Sequence, residues 1–310
     1  MWGLNNNPLF KIKLQALSVC VRYHDFLSHA VTTNKHLFDK WVIVTDLDDS
    51  KTVDLCGEHG LTCVKTNVFY EKGLFAKYAA VNEGLKYVDP DAWVLFLDAD
   101  IVLHPHCRYV LEELPLDKSC IYGMDRLNVQ GLLAYLDFKR GPGILKENWL
   151  LHSGGLEPGA RLVHHYGGVD DNGKFLGYLP IGYFQLCHRS SFTKYPDESL
   201  GCDHGDMVMA RQWPREKRIL IPELYCVHLE SLRTHKAANW NGRVSDPFTL
   251  PTSTANLTNI SNTFTTTSTA TSEQIVPVKH SHAHSHSIKR CLLYWWYRLL
   301  KWLYPKPKPY

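Results

Sequence analysis

One stretch constrains this chain more than any other: Ala92-Trp93-Val94-Leu95-Phe96-Leu97-Asp98-Ala99-Asp100. A short continuous apolar run reads as a strand buried on both faces, the kind found in a parallel sheet covered by helices. Two carboxylates stand at its carboxyl end, the edge at which open α/β sheets bind ligands, and a spacing of Asp-x-Asp lets both face one divalent cation. The pattern alone is weak, because Asp46-Leu47-Asp48 and Asp89-Pro90-Asp91 repeat it. The strand before Asp98 and the apolar Ile101-Val102-Leu103 after Asp100 set this copy apart.

Upstream, strands and helices alternate. Leu14 to Tyr23 reads as a strand, Asp25 to Leu37 as a helix, and Trp41 to Thr45 as a second buried strand ending at Asp46. Lys51 to His59 suits a helix stopped by Gly60, and Leu61 to Val64 a third strand. Such alternation implies right-handed crossovers and a parallel sheet, which brings Asp46 to the same edge as Asp98 and Asp100. A carboxylate there can accept hydrogen bonds from a base or ribose, although Asp46, Asp48 and Asp49 also suit turn formation and helix capping. Gly73 to Leu85 reads as a helix with Lys77 in its early part. A cation near a helix start opposes the helix dipole, so Lys77 either answers an anion held there or is an ordinary surface lysine.

The order of these elements, the Asp after the second strand, the helix Lys77-Tyr78-Ala79-Ala80-Val81-Asn82-Glu83-Gly84 and the strand ending in Asp98-x-Asp100 together resemble the nucleotide-sugar half of the GT-A glycosyltransferases, family 2 type. The similarity covers residues 14 to 110 and continues loosely to about residue 230. It implies an α/β fold of the Rossmann-like, nucleotide-diphospho-sugar transferase kind, a mixed and mainly parallel sheet with flanking helices. It also implies roles: Asp46 and Lys77 at the nucleotide, Asp98 at ribose and metal, Asp100 at the metal, with Mn2+ or Mg2+ as the cation and a nucleotide sugar, a UDP-sugar first among them, as donor. Relatives often carry Arg where this chain has Lys77, a change that removes a planar two-point contact.

The second half should supply the acceptor site. Cys120 to Gly123 suits a further strand, residues 141 to 174 are Gly-rich and irregular, and Gly182-Tyr183-Phe184-Gln185-Leu186 resembles the family's acceptor-pocket segment. Asp203-His204-Gly205-Asp206 precedes a helix-like run. By the same resemblance Asp206 is the general base that takes the acceptor hydroxyl's proton, while helix capping by Asp203 or Asp206 is the structural alternative. Leu220 to Val227 reads as a closing strand delivering His228, either a packed structural histidine or, as the same resemblance implies, a third metal ligand beside the carboxylates.

Domain organisation follows from composition. Residues 1–247 form the catalytic domain, 248–287 a disordered Ser/Thr- and His-rich linker, and 288–310 a basic, aromatic amphipathic helix. The formal charge of the 310 residues is +3, yet the last segment holds six Lys and Arg and no acid, leaving a mildly acidic body. That balance argues against nucleic-acid binding. Cys291 to Tyr304 as a helix reaches about 21 Å, short of the roughly 30 Å hydrocarbon core, so it suits lying in an anionic leaflet. The nine cysteines show no CxxC pair, and Met1 to Pro8 lacks a secretory pattern. The expectation is a peripheral membrane enzyme of the cytosolic face, acting on a glycan or lipid-linked glycan. A nucleotidyltransferase of related fold and an inactive glycan-binding scaffold are the alternatives.

Overall fold

The structure is a computed structural model that describes residues 12–70, 75–140, 149–152, 178–197, 205–231, 243 and 245–250. The chain divides into Met1–Leu250 and Pro251–Tyr310, and all described residues belong to the first unit. The Ser/Thr-rich linker beyond Leu250, the 288–310 helix, Asp203 and nearly all of the Gly-rich 141–174 region lie outside the described residues.

The first half follows the alternation read from sequence. β1 (Leu14–Val19), α1 (His24–Asn34), β2 (Lys40–Asp46), α2 (Ser50–His59), β3 (Thr62–Thr66), α3 (Lys77–Leu85) and β4 (Trp93–Leu97) succeed one another. α2 stops where Gly60 adopts φ 67°, a left-handed conformation that costs glycine nothing. The short β5 (Ile101–Val102) and α4 (Cys107–Glu113) come next. They are followed by β6 (Ile121–Gln130), α5 (Leu132–Arg140), β7 (Trp149–His152), β8 (Phe184–His188), α6 (Gly205–Arg211) and β9 (Arg218–Glu230). β6 is much longer than the four residues expected of it, and His228 lies within β9 rather than after it.

One sheet of nine strands runs in the order β3-β2-β1-β4-β8-β6-β9-β5, with β7 paired to β6. β1 pairs in parallel with β2 and β4, and β2 with β3. β8 runs antiparallel to both β4 and β6, whereas β6 and β9 are parallel.

β4 shows why an uninterrupted apolar run was needed. Successive side chains of a strand point to opposite faces. Trp93, Leu95 and Leu97 enter a core with Phe26, Leu27, Ala30 and Val31 of α1, while Val94 and Phe96 enter another with Tyr78, Ala80 and Val81 of α3 and Met209 and Ala210 of α6. The sheet is thus sandwiched between helices, and every residue of β4 is buried.

Candidate active site

The strand order reverses at β1, which has β2 on one side and β4 on the other. Crevices outside the carboxyl ends of strands at such a reversal are where doubly wound sheets hold ligands. Asp46 ends β2 and Asp98 follows β4, two strands apart, a separation of roughly 10 Å at ordinary strand spacing. The turn after β1 lies between them. Its Arg22 takes φ 53°, unusual for a residue with a side chain, and donates its backbone N–H to Asp49 Oδ2 at 2.5 Å.

Of the three acids after β2, Asp49 does the structural work. Its carboxylate accepts from Thr52 N at 3.2 Å, capping α2, and from the hydroxyls of Thr45 and Thr52 at 3.0 and 2.7 Å. Asp46 accepts from Asp48 N at 3.4 Å within the same turn and lies 3.5 Å from the mostly exposed guanidinium of Arg22. Capping therefore falls to Asp49, three residues beyond Asp46.

Lys77 opens α3, and its ammonium meets Asp98 Oδ1 at 2.5 Å. The anion that compensates its place at the helix start is the carboxylate of the Asp-x-Asp pair itself. Burial, helped by the charge of Asp100, holds the Asp98 carboxyl above its ordinary range even with Lys77 opposing. Asp100 behaves oppositely: burial works against its charge, but His228 outweighs it and holds the carboxyl low.

β5 lies antiparallel to β9, with Ile101 level with His228 and Leu229 N donating to Asp100 O at 2.9 Å. His228 Nε2 lies 3.4 Å from Asp100 Oδ2, and its Nδ1 lies 3.2 Å from Glu230 Oε1 and from Asn128 Oδ1. Burial alone would lower the imidazole pKa, but Asp100 and then Glu230 reverse this and raise it to about 9. Asp100 Oδ1 is sealed from solvent and has no hydrogen-bond partner among the described residues. No three His, Cys, Asp or Glu side chains gather as a cage among the described residues. Asp100 and His228 are together, with Asp98 turned to Lys77.

Asp206 stands in the first turn of α6 and takes two backbone N–H groups, Gly182 at 2.8 Å and Met207 at 2.8 Å. It therefore both opens the helix and holds the turn before β8, whose Tyr183 O accepts from Asp98 N at 3.4 Å. Its own backbone is held by Tyr78 Oη at 3.2 Å and by Gln185 Nε2 at 2.8 Å. Tyr78 stacks on Tyr195 at 5.1 Å, and Tyr195 donates to Gln185 Oε1 at 2.6 Å. Gly205 permits this approach, since a Cβ there would strike the Tyr78 ring. Sequence reading passed over Glu230, Tyr78 and Asn128. Glu230 was within reach, because two residues apart on a strand means one face.

The family model described as glycosyl transferase family 2 matches residues 25–123. No curated protein matches the chain in sequence. Among solved structures, mannosyl-3-phosphoglycerate synthase from Rubrobacter xylanophilus is 19% identical at a TM-score of 0.29, and the match covers 37% of this chain and 41% of that one. Glucosyl-3-phosphoglycerate synthase from Mycobacterium tuberculosis with UDP is 12% identical at 0.41, covering 73% of each chain. The same synthase with Mn2+, UDP-glucose and phosphoglyceric acid is 11% identical at 0.41, again covering 73% of each. Likenesses this distant carry no inference about donor or acceptor. The family match spans β2 to β4 and the Asp-x-Asp pair: residues 25–123 of this chain are similar to the family 2 glycosyltransferases and lie in a mixed α/β sheet with flanking helices.

Proposed function

We propose that the chain transfers a sugar from a nucleoside diphosphate donor, a UDP-sugar, to an acceptor hydroxyl on a glycan or lipid-linked acceptor, with inversion at the anomeric carbon. The observation that carries the reading is Asp100 Oδ1, buried without a partner beside His228. A carboxylate oxygen so placed is costly unless a cation meets it. His228 adds an Nε2 on that side, with its Nδ1 tied to Glu230, the arrangement by which carboxylates orient metal-binding imidazoles. Two protein ligands rather than a full cage suit a cation that completes its shell with substrate phosphates, which fits Mn2+ or Mg2+. Bound there, such a cation supplies Lewis-acid neutralisation of the departing diphosphate.

The chain's own residues do the rest. Asp46, at the far side of the crevice, accepts from base or ribose, and Lys77 with Asp98 forms the near wall against the nucleotide. Asp206 receives the proton of the acceptor hydroxyl as the new bond from that oxygen to the anomeric carbon forms and the bond to the diphosphate oxygen breaks. Among the described residues no helix is long and apolar enough to cross a membrane. Attachment to an anionic leaflet through residues 288–310, on the cytosolic side, belongs to the same proposal.

The test is sugar transfer and donor hydrolysis over a panel of UDP- and GDP-sugars, with and without Mn2+, for the wild type and for Asp98→Ala with Asp100→Ala. The double variant should lose about 10³-fold of the metal-dependent rate. Undiminished turnover would refute the metal site. Pyrophosphate release from a nucleoside triphosphate would replace it with nucleotidyl transfer, and a retained anomer in the NMR spectrum of the product would remove Asp206 as an inverting base.

A further inference from the structure

β6 and β9 run side by side with Arg126 level with Cys226, Asn128 with His228 and Gln130 with Glu230. Residues two apart along a strand share a face, and so do residues level across a parallel pair. Arg126, Asn128, His228 and Glu230 therefore line one face, while Leu127, Val129, Val227 and Leu229 turn into the core. Three of the four polar groups answer one another through the His228 ring.

Arg126 does not take part. Among the described residues it makes no hydrogen bond and no ion pair, and its Nε is sealed from solvent with no partner. The guanidinium lies over the Tyr183 ring, 4.8 Å from the centroid. That ring is fixed by the Tyr183 hydroxyl donating to Met124 O, and Tyr183 O accepts from Asp98 N. The cation thus rests on an anchored ring, near enough for its charge to act on Asp100, His228 and Glu230. A guanidinium does not relieve burial by losing its proton, and its fork of donors matches carboxylate and phosphate oxygens.

Of the nearby acids, Glu230 and Asp100 Oδ2 are met by His228 and Asp98 by Lys77, while Asp100 Oδ1 is the oxygen assigned above to the donor's cation. Arg126 also stands two strands beyond β4, on the side away from Asp46 and the crevice at β1. We propose that Arg126 receives an anionic group of the acceptor, a carboxylate or phosphate carried near the hydroxyl that is glycosylated. This rests on the donor reading above and narrows its acceptor to hydroxylated anions.

The experiment uses the full chain saturated with UDP and Mn2+, titrated calorimetrically with glycerol 3-phosphate, glycerate and glycerol. One or both anions should bind and glycerol should not, the stronger anion telling phosphate from carboxylate. Arg126→Gln should weaken anion binding at least tenfold with UDP affinity within twofold of wild type, and Arg126→Lys should restore part of it. Binding of neither anion, or equal binding by Arg126→Gln, overturns the proposal. An equal fall in UDP affinity does so too, by assigning Arg126 to the donor diphosphate. A wild type that binds no UDP with Mn2+ sinks the donor reading instead, and the same anion titrations on the chain alone then decide Arg126 separately.

Discussion

The two halves of the sheet build their shares of the site in different ways. From β1 to β4 the strands are parallel and apolar, and the polar groups come at their ends: Asp46 after β2, Asp98 and Asp100 after β4, Lys77 at the start of α3. From β6 to β9 the pairing is mixed, and the polar groups sit along the strands: Arg126, Asn128, His228 and Glu230 on one face. A parallel sheet covered on both sides has no free face to offer, so chemistry collects at its rim. Beyond β8, β6 and β9 pair in parallel and turn Arg126, Asn128, His228 and Glu230 to one face, so here side chains within strands rather than at their ends carry the polar groups. The proposed roles then divide, nucleotide on the first half and acceptor on the second, with His228 of β9 reaching across to the cation beside Asp100.

Asp206→Asn tests that division most severely. It should lower kcat by about 10² to 10⁴-fold, the usual worth of a positioned base, while the affinity for UDP measured by calorimetry stays within twofold. A large fall in UDP affinity would erase the distinction between halves. Lys77→Met is the converse. Removing a charge-assisted contact worth about 2 kcal/mol should weaken UDP binding roughly 30-fold, with kcat at saturating donor nearly unchanged.

Arg243→Met sharpens the boundary with a smaller effect. Arg243 follows β9, yet it grips Asp25 of α1 through paired contacts of 2.5 and 2.8 Å and donates to Arg22 O at 3.0 Å, so the second half clasps the turn of the first. Burial opposes ionisation of Asp25, but Arg243 outweighs it and keeps the carboxyl below its ordinary range. A depressed carboxyl contributes stability that is complete above its unfolded pKa of about 4 and vanishes as pH falls through the folded value. The variant should be less stable by about 1 to 2 kcal/mol at pH 7, and urea midpoints of the two proteins should converge below about pH 4. Midpoints that stay equally far apart in acid would show that Arg243 acts by packing on Tyr23 and Phe26 rather than through Asp25.

Legibility in the sequence followed the same division. The apolar runs ending in acids gave β2, β4 and the placement of Asp46, Asp98 and Asp100, because a buried strand and its rim have a plain local pattern. Lys77 was readable from its conflict with the helix dipole. Asp49 was not, because three acids crowd the same turn and only the one three residues before Thr52 reaches that N–H. β6 was read as four residues because Asp125 and Arg126 stand together after Met124 and break the alternation that resumes at Leu127. Pairing to β9 and β7, distant in sequence, makes that segment a strand. Arg126 was hidden for the same reason, since β6 alone does not say which residues of β9 will stand beside it.

β4 has one edge paired to β1 in parallel and the other to β8 in the opposite direction. The family match begins at residue 25, after β1, and ends at residue 123, some sixty residues before β8 begins, so it holds neither neighbour of β4. A fragment trimmed to the matched region would carry Asp46, Asp98 and Asp100 and still be a poor reagent. Its Trp-Val-Leu-Phe-Leu edge would stand bare, without charge or proline, and invite other copies to add on as strands.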